Sequence, residues 1–508
     1  MLFNSIEFIF FFLPFTLLIF FIIGRQSSFW SRKLAVVWLV CVSLFFYSWS
    51  SHLYLPLFVV SMLVNYSIGS WIGNEAASSG MKKSLLMLGI TFNIALLAYF
   101  KYGNFSAETI NFLFGLDFKV NPIILPLGIS FFTFQQVAYL VDSYRVETQS
   151  SLLDYLLFVS FFPKLVAGPI VQHKEIIPQL SDQSTYRINA QDIAIGLTFF
   201  ALGLSKKVIF ADSLSEYVVP VFSTAVEAPV PLIDAWIGAL AYTLQLYFDF
   251  SGYSDIAIGI SRCFGIRLPL NFDSPYKALS ISDFWRRWHI TLSNFLRDYL
   301  YIPLGGNRKG ELRRNFNLMT TMLLGGLWHG AGWTFVFWGG LHGFYLTVNH
   351  QWRSYLKYLG HDPKEGSWLR NLFGWLLTFI AVVIGWVFFR AESMGAALQI
   401  IKGMFGLSGF TASNSPLYQL FSMRLVFVLL VLLAIVWLTP NTQELVGQYD
   451  NNPKVAKNNT SRLRFNLICL NPSWQPNQTW GLIIGLLIFL AVKGILTASG
   501  SEFVYASF

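Results

Sequence analysis

Two histidines stand beside tryptophans in a chain that is otherwise rich in apolar residues. His289 closes the segment Phe284-Trp-Arg-Arg-Trp-His289, and 40 positions later His329 follows Gly325-Gly-Leu-Trp. Imidazole exchanges protons near neutral pH, and an ionisable side chain is costly to keep inside a membrane segment. The pair therefore predicts a functional site in which a histidine, His329 first, exchanges a proton. Glycines around His329 let a substrate approach its ring closely.

Each of these histidines also has a structural interpretation. His329 could hydrogen-bond a neighbouring carbonyl, and His289 could belong to an aromatic belt near the cytoplasmic surface. His342 lies 13 residues beyond His329, so on one continuous helix it would be rotated by roughly 220° from it. We therefore assign His342 to packing, and His350 to the membrane surface.

Other polar side chains occur within apolar runs. Asp249 and Asp255 lie in Leu244–Asp255, and for Asp249 we favour a buried hydrogen-bond network, because such groups must be satisfied internally. Asp255 and Trp328, which is beside His329 in the sequence, are expected to contact the functional histidines rather than the substrate. Lys164 either extends its ammonium group to the membrane surface or lines the mouth of a cavity, and we place it in the same supporting group.

Several kinds of site are excluded by what the sequence lacks. It contains no His-Glu-x-x-His motif, and its 3 cysteines are scattered, so neither a metal site nor redox chemistry is predicted. No Gly-Lys pair occurs, which excludes a P-loop. The net charge of +9 comes from 35 basic and 26 acidic residues grouped in a few loops, a pattern unlike a nucleic-acid-binding surface.

The composition identifies a membrane protein. Hydrophobic residues make up 55% of the 508 residues and charged residues only 12%, so lipid must solvate much of the surface. We predict an all-α polytopic protein with about eleven transmembrane helices in a single domain, 1–508. The first apolar run follows Glu7 and precedes Arg25, so we expect it to be retained rather than cleaved as a signal peptide. The apolar runs cover residues 8–24, 34–74 (two crossings), 84–100, 120–141, 152–172, 191–211, 232–261, 315–349, 371–389, 422–438 and 480–498.

The segment 271–314 differs from the rest, because eight basic and four acidic residues alternate there with aromatic ones. This pattern predicts cytoplasmic interfacial or re-entrant helices, with Ser280 or Ser282 as a cap and a turn at Leu304–Gly310. Residues 448–478 are predicted to be a polar loop before the last helix. The cations of 271–314 are available to bind a phosphate-bearing or acidic ligand from the cytoplasm. The candidates for binding such a ligand, which would be the donor of a transferred group, are Arg286, Arg287, Arg308, Lys309, Trp285 and Trp288.

The basic residues also predict an orientation. Arg25, Arg32 and Lys33, then Lys82 and Lys83, and then the 271–314 segment hold most of the cations between apolar runs. By the positive-inside rule these loops face the cytoplasm, so we expect the N-terminus on the outer side.

Six motifs, in this order along the chain, resemble those of the membrane-bound O-acyltransferase family. Within it they are similar to the bacterial branch that O-acetylates alginate and peptidoglycan. The resemblance runs from residue 1 to about 350 and returns at Trp437–Gln443. The motifs are Met1-Leu-Phe-Asn-Ser-Ile-Glu-Phe, Leu125-Pro-Leu-Gly-Ile-Ser-Phe-Phe, Phe162-Pro-Lys-Leu-Val-Ala-Gly-Pro, Tyr247-Phe-Asp-Phe-Ser-Gly-Tyr-Ser-Asp255, Phe284-Trp-Arg-Arg-Trp-His289 and Gly325-Gly-Leu-Trp-His-Gly330.

The resemblance implies a ring of tilted helices around a thinned centre in the bacterial inner membrane. It implies that His329 is catalytic and that His289 lies on the cytoplasmic approach. The acyl donor, acetyl-CoA or an acyl carrier protein thioester, would enter from the cytoplasm, with no bound cofactor. The acetyl group would leave on an extracytoplasmic SGNH-type partner enzyme, which would modify the polysaccharide.

Two other functions remain open from the residues alone. A transporter could use His329 in a proton relay, although we find no clear internal repeat and only the Asp249 and Asp255 pair of intramembrane carboxylates. A non-catalytic scaffold of a polysaccharide export complex would use both histidines for packing.

Overall fold

The computed structural model describes residues 1–26, 28–117, 123–146, 151–362, 366–410, 416–447, 449, 474–497 and 503. Over these residues the chain is helical, with no β-strand among them. Most of the predicted polar loop 448–478, including Cys469, lies outside the described residues. The prediction of a single domain over 1–508 stays a prediction.

The α-helices are numbered in chain order. The first eleven are α1 Leu13–Gly24, α2 Phe29–Ser51, α3 Leu55–Ile72, α4 Ser79–Leu97, α5 Gly103–Phe114, α6 Ile129–Val146, α7 Leu152–Ser160, α8 Phe162–Leu165, α9 His173–Ser181, α10 Ala190–Ser205 and α11 Asp212–Glu227. The others are α12 Leu232–Cys263, α13 Ile281–Arg287, α14 Ile290–Leu296, α15 Gly310–His329, α16 Trp333–Tyr358, α17 Trp368–Arg390, α18 Met394–Met404, α19 Pro416–Leu438, α20 Thr442–Val446 and α21 Gln478–Thr497.

Short irregular turns join several of these helices. The π-helical turns are Phe8–Phe12, Ala98–Tyr102, Lys206–Ala211 and Arg297–Tyr301, and the 3-10 turns are His52–Tyr54, Gln183–Tyr186 and Pro275–Lys277.

The all-α polytopic fold class predicted from the sequence is confirmed. Five helical stretches in the described part of the chain are long and apolar enough to cross a membrane, and the first of them holds both α2 and α3, as predicted. These five stretches do not establish a count of eleven crossings. They are Phe29–Ile72, Ser79–Phe114, Ala190–Glu227, Trp368–Arg390 and Gln478–Thr497.

Helix α12 lies in the protein interior. Every residue from Ala241 to Cys263 is buried, including Asp249 and Asp255. A helix that is surrounded by protein can hold polar residues on all its faces. This helix therefore supplies the central support on which the other elements pack.

The helical-wheel argument for His342 assumed one continuous helix over the apolar run 315–349, and the structure shows a break instead. Here the chain forms two helices, α15 and α16, which separate at Gly330–Gly332 and pack against each other. Gly326 and Gly339 allow their backbones to touch, because a Cβ on Gly326 would lie 2.3 Å from the carbonyl oxygen of Phe335. Small residues at such contacts are typical of membrane helix pairs.

The predicted crossing over 152–172 is also interrupted. It contains only the nine-residue α7 and the four-residue α8, followed by a non-helical segment that is largely buried. Pro163 and Pro169 oppose a continuous helix here. Irregular backbone at membrane depth is tolerated when protein encloses it.

The segment 271–314 forms short helices, as its alternation of polar and aromatic residues predicted. Ser280 caps α13 by accepting a hydrogen bond from the amide of Asp283, at 3.2 Å. The turn at Leu304–Gly310 contains three glycines with positive φ angles, Gly305, Gly306 and Gly310. Much of this segment is buried beside α12, which brings His289 into the interior.

We predict that Gly326→Ala and Gly339→Ala each destabilise the protein by about 1–3 kcal/mol. An added methyl group at either position would meet backbone atoms, at 2.3 Å in both cases, and so would force α15 and α16 apart. Thermal unfolding in detergent measures the loss. Gly340→Ala is the matched control, since its methyl group would meet only the flexible side chain of Leu323, at 3.3 Å. Equal stability of all three variants would contradict the proposed close contact.

Candidate active site

The structure brings His289 and His329 together. Their ring centroids lie 6.3 Å apart, and the two residues are 0% and 4% exposed. His329 ends α15, whereas His289 directly precedes α14. The chain between them, which includes α14 and α15, thus leaves the site after His289 and returns to it at His329. Because His289 is fully buried, the interpretation of this residue as part of an interfacial belt is wrong.

Aromatic rings enclose His329. Trp328, Trp338 and Phe389 lie with their ring centroids 5.0, 5.1 and 5.3 Å from the imidazole. Trp328 stacks in turn on Phe134 of α6, at 5.0 Å. These walls, from α6, α15, α16 and α17, make an apolar chamber around one polar ring. Electrostatic interactions within such a chamber are stronger than in water.

The backbone at His289 has an unusual conformation. Its φ of 42° lies in the left-handed region, which costs a residue with a side chain about 1–3 kcal/mol. Two backbone hydrogen bonds hold it there: the amide of Ile290 donates to the carbonyl of Asn271, and the amide of Asp273 donates to that of Arg287, both at 2.9 Å. Such strain often occurs at functional sites.

Asn271 also fixes the hydrogen position on the His289 ring. Its side-chain oxygen accepts from the amide of Thr291 at 3.3 Å and lies 3.0 Å from Nδ1 of His289. A backbone N–H can only donate, so this oxygen is an acceptor and Nδ1 must carry the hydrogen. In neutral His289 the lone pair is therefore on Nε2. The side-chain N–H of Asn271 donates to the hydroxyl of Ser254 in α12, at 3.2 Å, which fixes the orientation of the Asn271 side chain.

Sequence reasoning missed Lys101. Its ammonium group donates to the carbonyl oxygens of Trp328 and His329, at 2.6 and 3.2 Å, and to the hydroxyl of Ser130, at 3.1 Å. The available signal was a lysine directly after the apolar run 84–100. Asn271 was missed as well, because asparagine in a segment with many polar residues carries no distinct signal.

His342 lies much closer to the site than the helical-wheel argument predicted. That argument assumed one continuous helix, whereas the break at Gly330–Gly332 places His342 on α16. Trp338 separates the two rings, with centroids 5.1 Å from His329 and 4.9 Å from His342. The indole N–H of Trp285 donates to Nδ1 of His342 at 3.2 Å, so His342 packs immediately behind the chamber. His350, also on α16, is half-buried.

The six donor-binding candidates divide into two groups. Arg286, Arg308 and Lys309 are exposed. The other three make internal contacts: Arg287 donates to the carboxylate of Asp283 at 3.1 Å, Trp285 bonds His342, and Trp288 is 2% exposed and packs on Trp386. The exposed cations are therefore the ones that can meet a donor from solution.

The supporting residues predicted from the sequence lie in different places. Trp328 contacts both histidine rings, with centroids 5.0 Å from His329 and 6.2 Å from His289. Asp255 instead accepts from Lys206 and Thr442, both at 2.6 Å. Lys164 is 0% exposed and donates to Gln135, so the expectation that it reaches the membrane surface is wrong.

Asp249 belongs to a buried network, as predicted. Its carboxylate lies 2.9 Å from the ammonium of Lys207, and both side chains are 0% exposed. Lys207 also meets Asp212 at 2.8 Å. The network joins α12 to the π-helical turn before α11.

Comparison with known proteins identifies the family. The model of the family described as MBOAT, membrane-bound O-acyltransferase, matches residues 45–391, which include both histidines. The chain belongs to this family. Family membership makes it a multi-pass membrane O-acyltransferase rather than a transporter or a scaffold, as the six motifs predicted. An O-acyltransferase of this family needs an acyl donor and no metal cofactor.

Three named relatives place the chain within the family. It is 44% identical to a peptidoglycan O-acetyltransferase of Helicobacter pylori over 80% of each chain. It is 41% identical to a probable alginate O-acetylase, AlgI, of Azotobacter vinelandii over 86% of this chain and 84% of that protein. A teichoic acid D-alanyltransferase of Streptococcus thermophilus is more distant, at 27% identity over 52% of this chain and 68% of its own length.

We predict that Asn271→Leu lowers kcat by about tenfold or more, because the His289 ring in the other tautomer would no longer present a lone pair on Nε2. Leucine fills the space but accepts no hydrogen bond from Nδ1 of His289. Steady-state acyl transfer by folded protein measures the effect. Ser254→Ala is the control: it removes only the partner of the amide nitrogen and leaves the acceptor for His289 in place. If both substitutions give the same small change, Asn271 does not orient the ring.

Proposed function

We propose that this protein transfers an acetyl group from a thioester donor on the cytoplasmic side to an acceptor hydroxyl on the outer side, for O-acetylation of a cell-envelope or exported polysaccharide. The observation that carries the proposal is the buried pair of histidine rings 6.3 Å apart, each from a different part of the chain. The relatives named peptidoglycan O-acetyltransferase and alginate O-acetylase support acetyl as the transferred group.

In the proposed reaction His329 is the general base. Its imidazole removes the proton of the acceptor hydroxyl while the oxygen attacks the thioester carbonyl carbon. The new C–O bond forms, the C–S bond breaks, and the departing thiolate receives a proton. General-base catalysis of this kind contributes roughly 10²–10⁴-fold to the rate.

His289 is placed to act on the donor side of this reaction. Its lone pair on Nε2 makes it a hydrogen-bond acceptor or a base, and it belongs to the same short-helix segment as the exposed Arg286. We propose that His289 contacts the thioester end of the donor. Its Nε2 accepts the proton that His329 removed from the hydroxyl and passes that proton to the leaving thiolate.

The three exposed cations of the segment lie at different distances from the two histidines. Helix α15 has 20 residues, so Lys309 at its start is roughly 30 Å along the axis from His329. Arg308 and Lys309 can therefore meet only the distant end of a donor, such as the phosphates of coenzyme A or the acidic surface of a carrier protein. Arg286, three residues before His289, is the cation nearer to the thioester.

The product side is expected to involve a second protein. We propose that the acceptor hydroxyl belongs to, or is passed on to, an SGNH-type acetyltransferase outside the bacterial inner membrane, and that this partner places the acetyl group on the polysaccharide. The proposal relies on the orientation predicted from the basic loops and on the envelope substrates in the names of the relatives.

We predict that His329→Ala reduces acetyl transfer by roughly 10²-fold or more, because the variant lacks the base that activates the hydroxyl. The protein should still insert and remain monodisperse in detergent. Release of radiolabelled acetyl from acetyl-CoA to the purified partner measures turnover at equal folded concentration. His289→Ala should cause a loss equal to that of His329→Ala or smaller.

His173→Ala is the matched control. His173 is a buried histidine that packs on Tyr139 and Phe158, with ring centroids 5.6 and 5.4 Å away, so its loss should affect stability more than turnover. His342 is a poorer control, because Trp338 connects it to the site. If His329→Ala keeps more than about half of wild-type turnover, where loss of a general base allows only a few per cent, the catalytic assignment is wrong.

We predict that Arg286→Gln, Arg308→Gln and Lys309→Gln raise the KM for the donor more than they lower kcat, because they remove favourable charge from donor binding. The effect should shrink at high salt. Lys33→Gln, at an exposed cation outside the segment, is the control. Arg287→Gln should instead lower stability, since Arg287 pairs with Asp283. An unchanged KM in all three test variants would leave these cations only a topological role.

A further inference from the structure

We propose that Lys101 is a positioning residue for catalysis, which holds the end of α15 so that His329 points into the chamber. The inference rests on the proposed function, because it concerns the geometry of the same histidine. It assigns a task to a buried cation that the acyl-transfer mechanism itself does not use.

The carbonyl groups at the end of α15 need hydrogen-bond donors from outside the helix. An α-helix leaves its last carbonyls without partners inside the helix, and lipid offers no water to bind them. Helix α15 ends at His329, a buried residue inside the protein. The carbonyls of Leu327, Trp328 and His329 therefore need donors from another element.

The π-helical turn Ala98–Tyr102 supplies these donors. Lys101 bonds the carbonyl oxygens of Trp328 and His329, and the hydroxyl of Tyr102 donates to the carbonyl of Leu327 at 2.9 Å. Two adjacent side chains thus cap three consecutive carbonyls. A π-helical turn has one more residue than an α-turn, and such turns are frequent at functional sites.

A lysine is well suited to this position. Its ammonium group has three donors, and Lys101 directs them to Trp328, His329 and Ser130. Its positive charge also complements the negative end of the helix dipole. Ser130 makes a second contact with the end of α15: its carbonyl oxygen accepts a hydrogen bond from the indole N–H of Trp328 at 3.4 Å. Lys101 thus joins α6, the π-helical turn and the end of α15.

This cap acts directly on the catalytic geometry. The carbonyl group of His329 is attached to the Cα from which the imidazole extends, and the carbonyl of Trp328 precedes it. Gly330 follows at once, so the next residue offers little resistance to rotation of the backbone. Without the ammonium group, the His329 ring would sample several directions, and a displacement of 1 Å can lower a rate about a hundredfold.

The test compares Lys101→Met with Lys101→Arg. Methionine has nearly the shape of lysine without donors, so we expect a loss of about tenfold to a hundredfold in kcat per folded molecule, with the donor KM within about twofold of wild type. Arginine retains donors and charge and should recover part of the loss. Lys82→Met, at the other end of the same run of helix, should leave kcat unchanged. Tyr102→Phe should cause a smaller loss than Lys101→Met.

Hydrogen exchange of the segment 322–335 provides a readout that does not depend on activity. Lys101→Met should increase exchange there, and Lys82→Met should not. A Lys101→Met protein with wild-type kcat, or one with unchanged exchange in this segment, would overturn the proposal. An arginine variant no more active than the methionine variant would also contradict it.

Failure of this inference is distinguishable from failure of the proposed function. If wild-type protein transfers acetyl and His329→Ala does not, the proposed function holds whatever the Lys101 variants do. If wild-type protein transfers no acetyl group, the exchange measurement still decides whether Lys101 holds the end of α15.

Discussion

A helix that ends inside a membrane protein exposes carbonyl groups that water cannot reach, and the geometry of this site depends on how that requirement is met. Helix α15 ends at His329, and Lys101 and Tyr102 supply the donors that its final carbonyls need. The same end is also where α16 begins to pack back on α15 through Gly326 and Gly339. The His329 ring is therefore positioned by contacts to the backbone. Aromatic side chains from α6, α15, α16 and α17 then enclose it.

The sequence predicted the parts of the structure that have local signals. Long apolar runs identified most of the helices, and histidines beside tryptophans in apolar surroundings identified the pair that now lies with ring centroids 6.3 Å apart. The break between α15 and α16 was not predicted, because Gly330, Ala331 and Gly332 are as compatible with a membrane helix as with a turn. The error in the position of His342 followed from that one break. Lys101 and Asn271 were missed because their roles depend on partners 228 and 18 residues away in the chain.

The buried charges of α12 and the turn before α11 show how a membrane fold can hold ionisable groups by pairing them. Lys207 meets Asp249 and Asp212, and Lys206 meets Asp255, so each ammonium is matched by a carboxylate from a neighbouring helix. Removing one member would leave an uncompensated buried charge. An intramembrane charge thus indicates function only after its partners are known. Lys101 donates to two carbonyl oxygens and a hydroxyl beside the His329 ring.

The break at Gly330–Gly332 also decides which side chains can reach His329. On one continuous helix the neighbours of His329 would lie three or four positions away. Because the chain instead folds back after Gly332, α16 packs along α15, and Trp338 of α16 has its ring centroid 5.1 Å from the imidazole. One helix pair thus supplies both the histidine and part of the aromatic wall that encloses it.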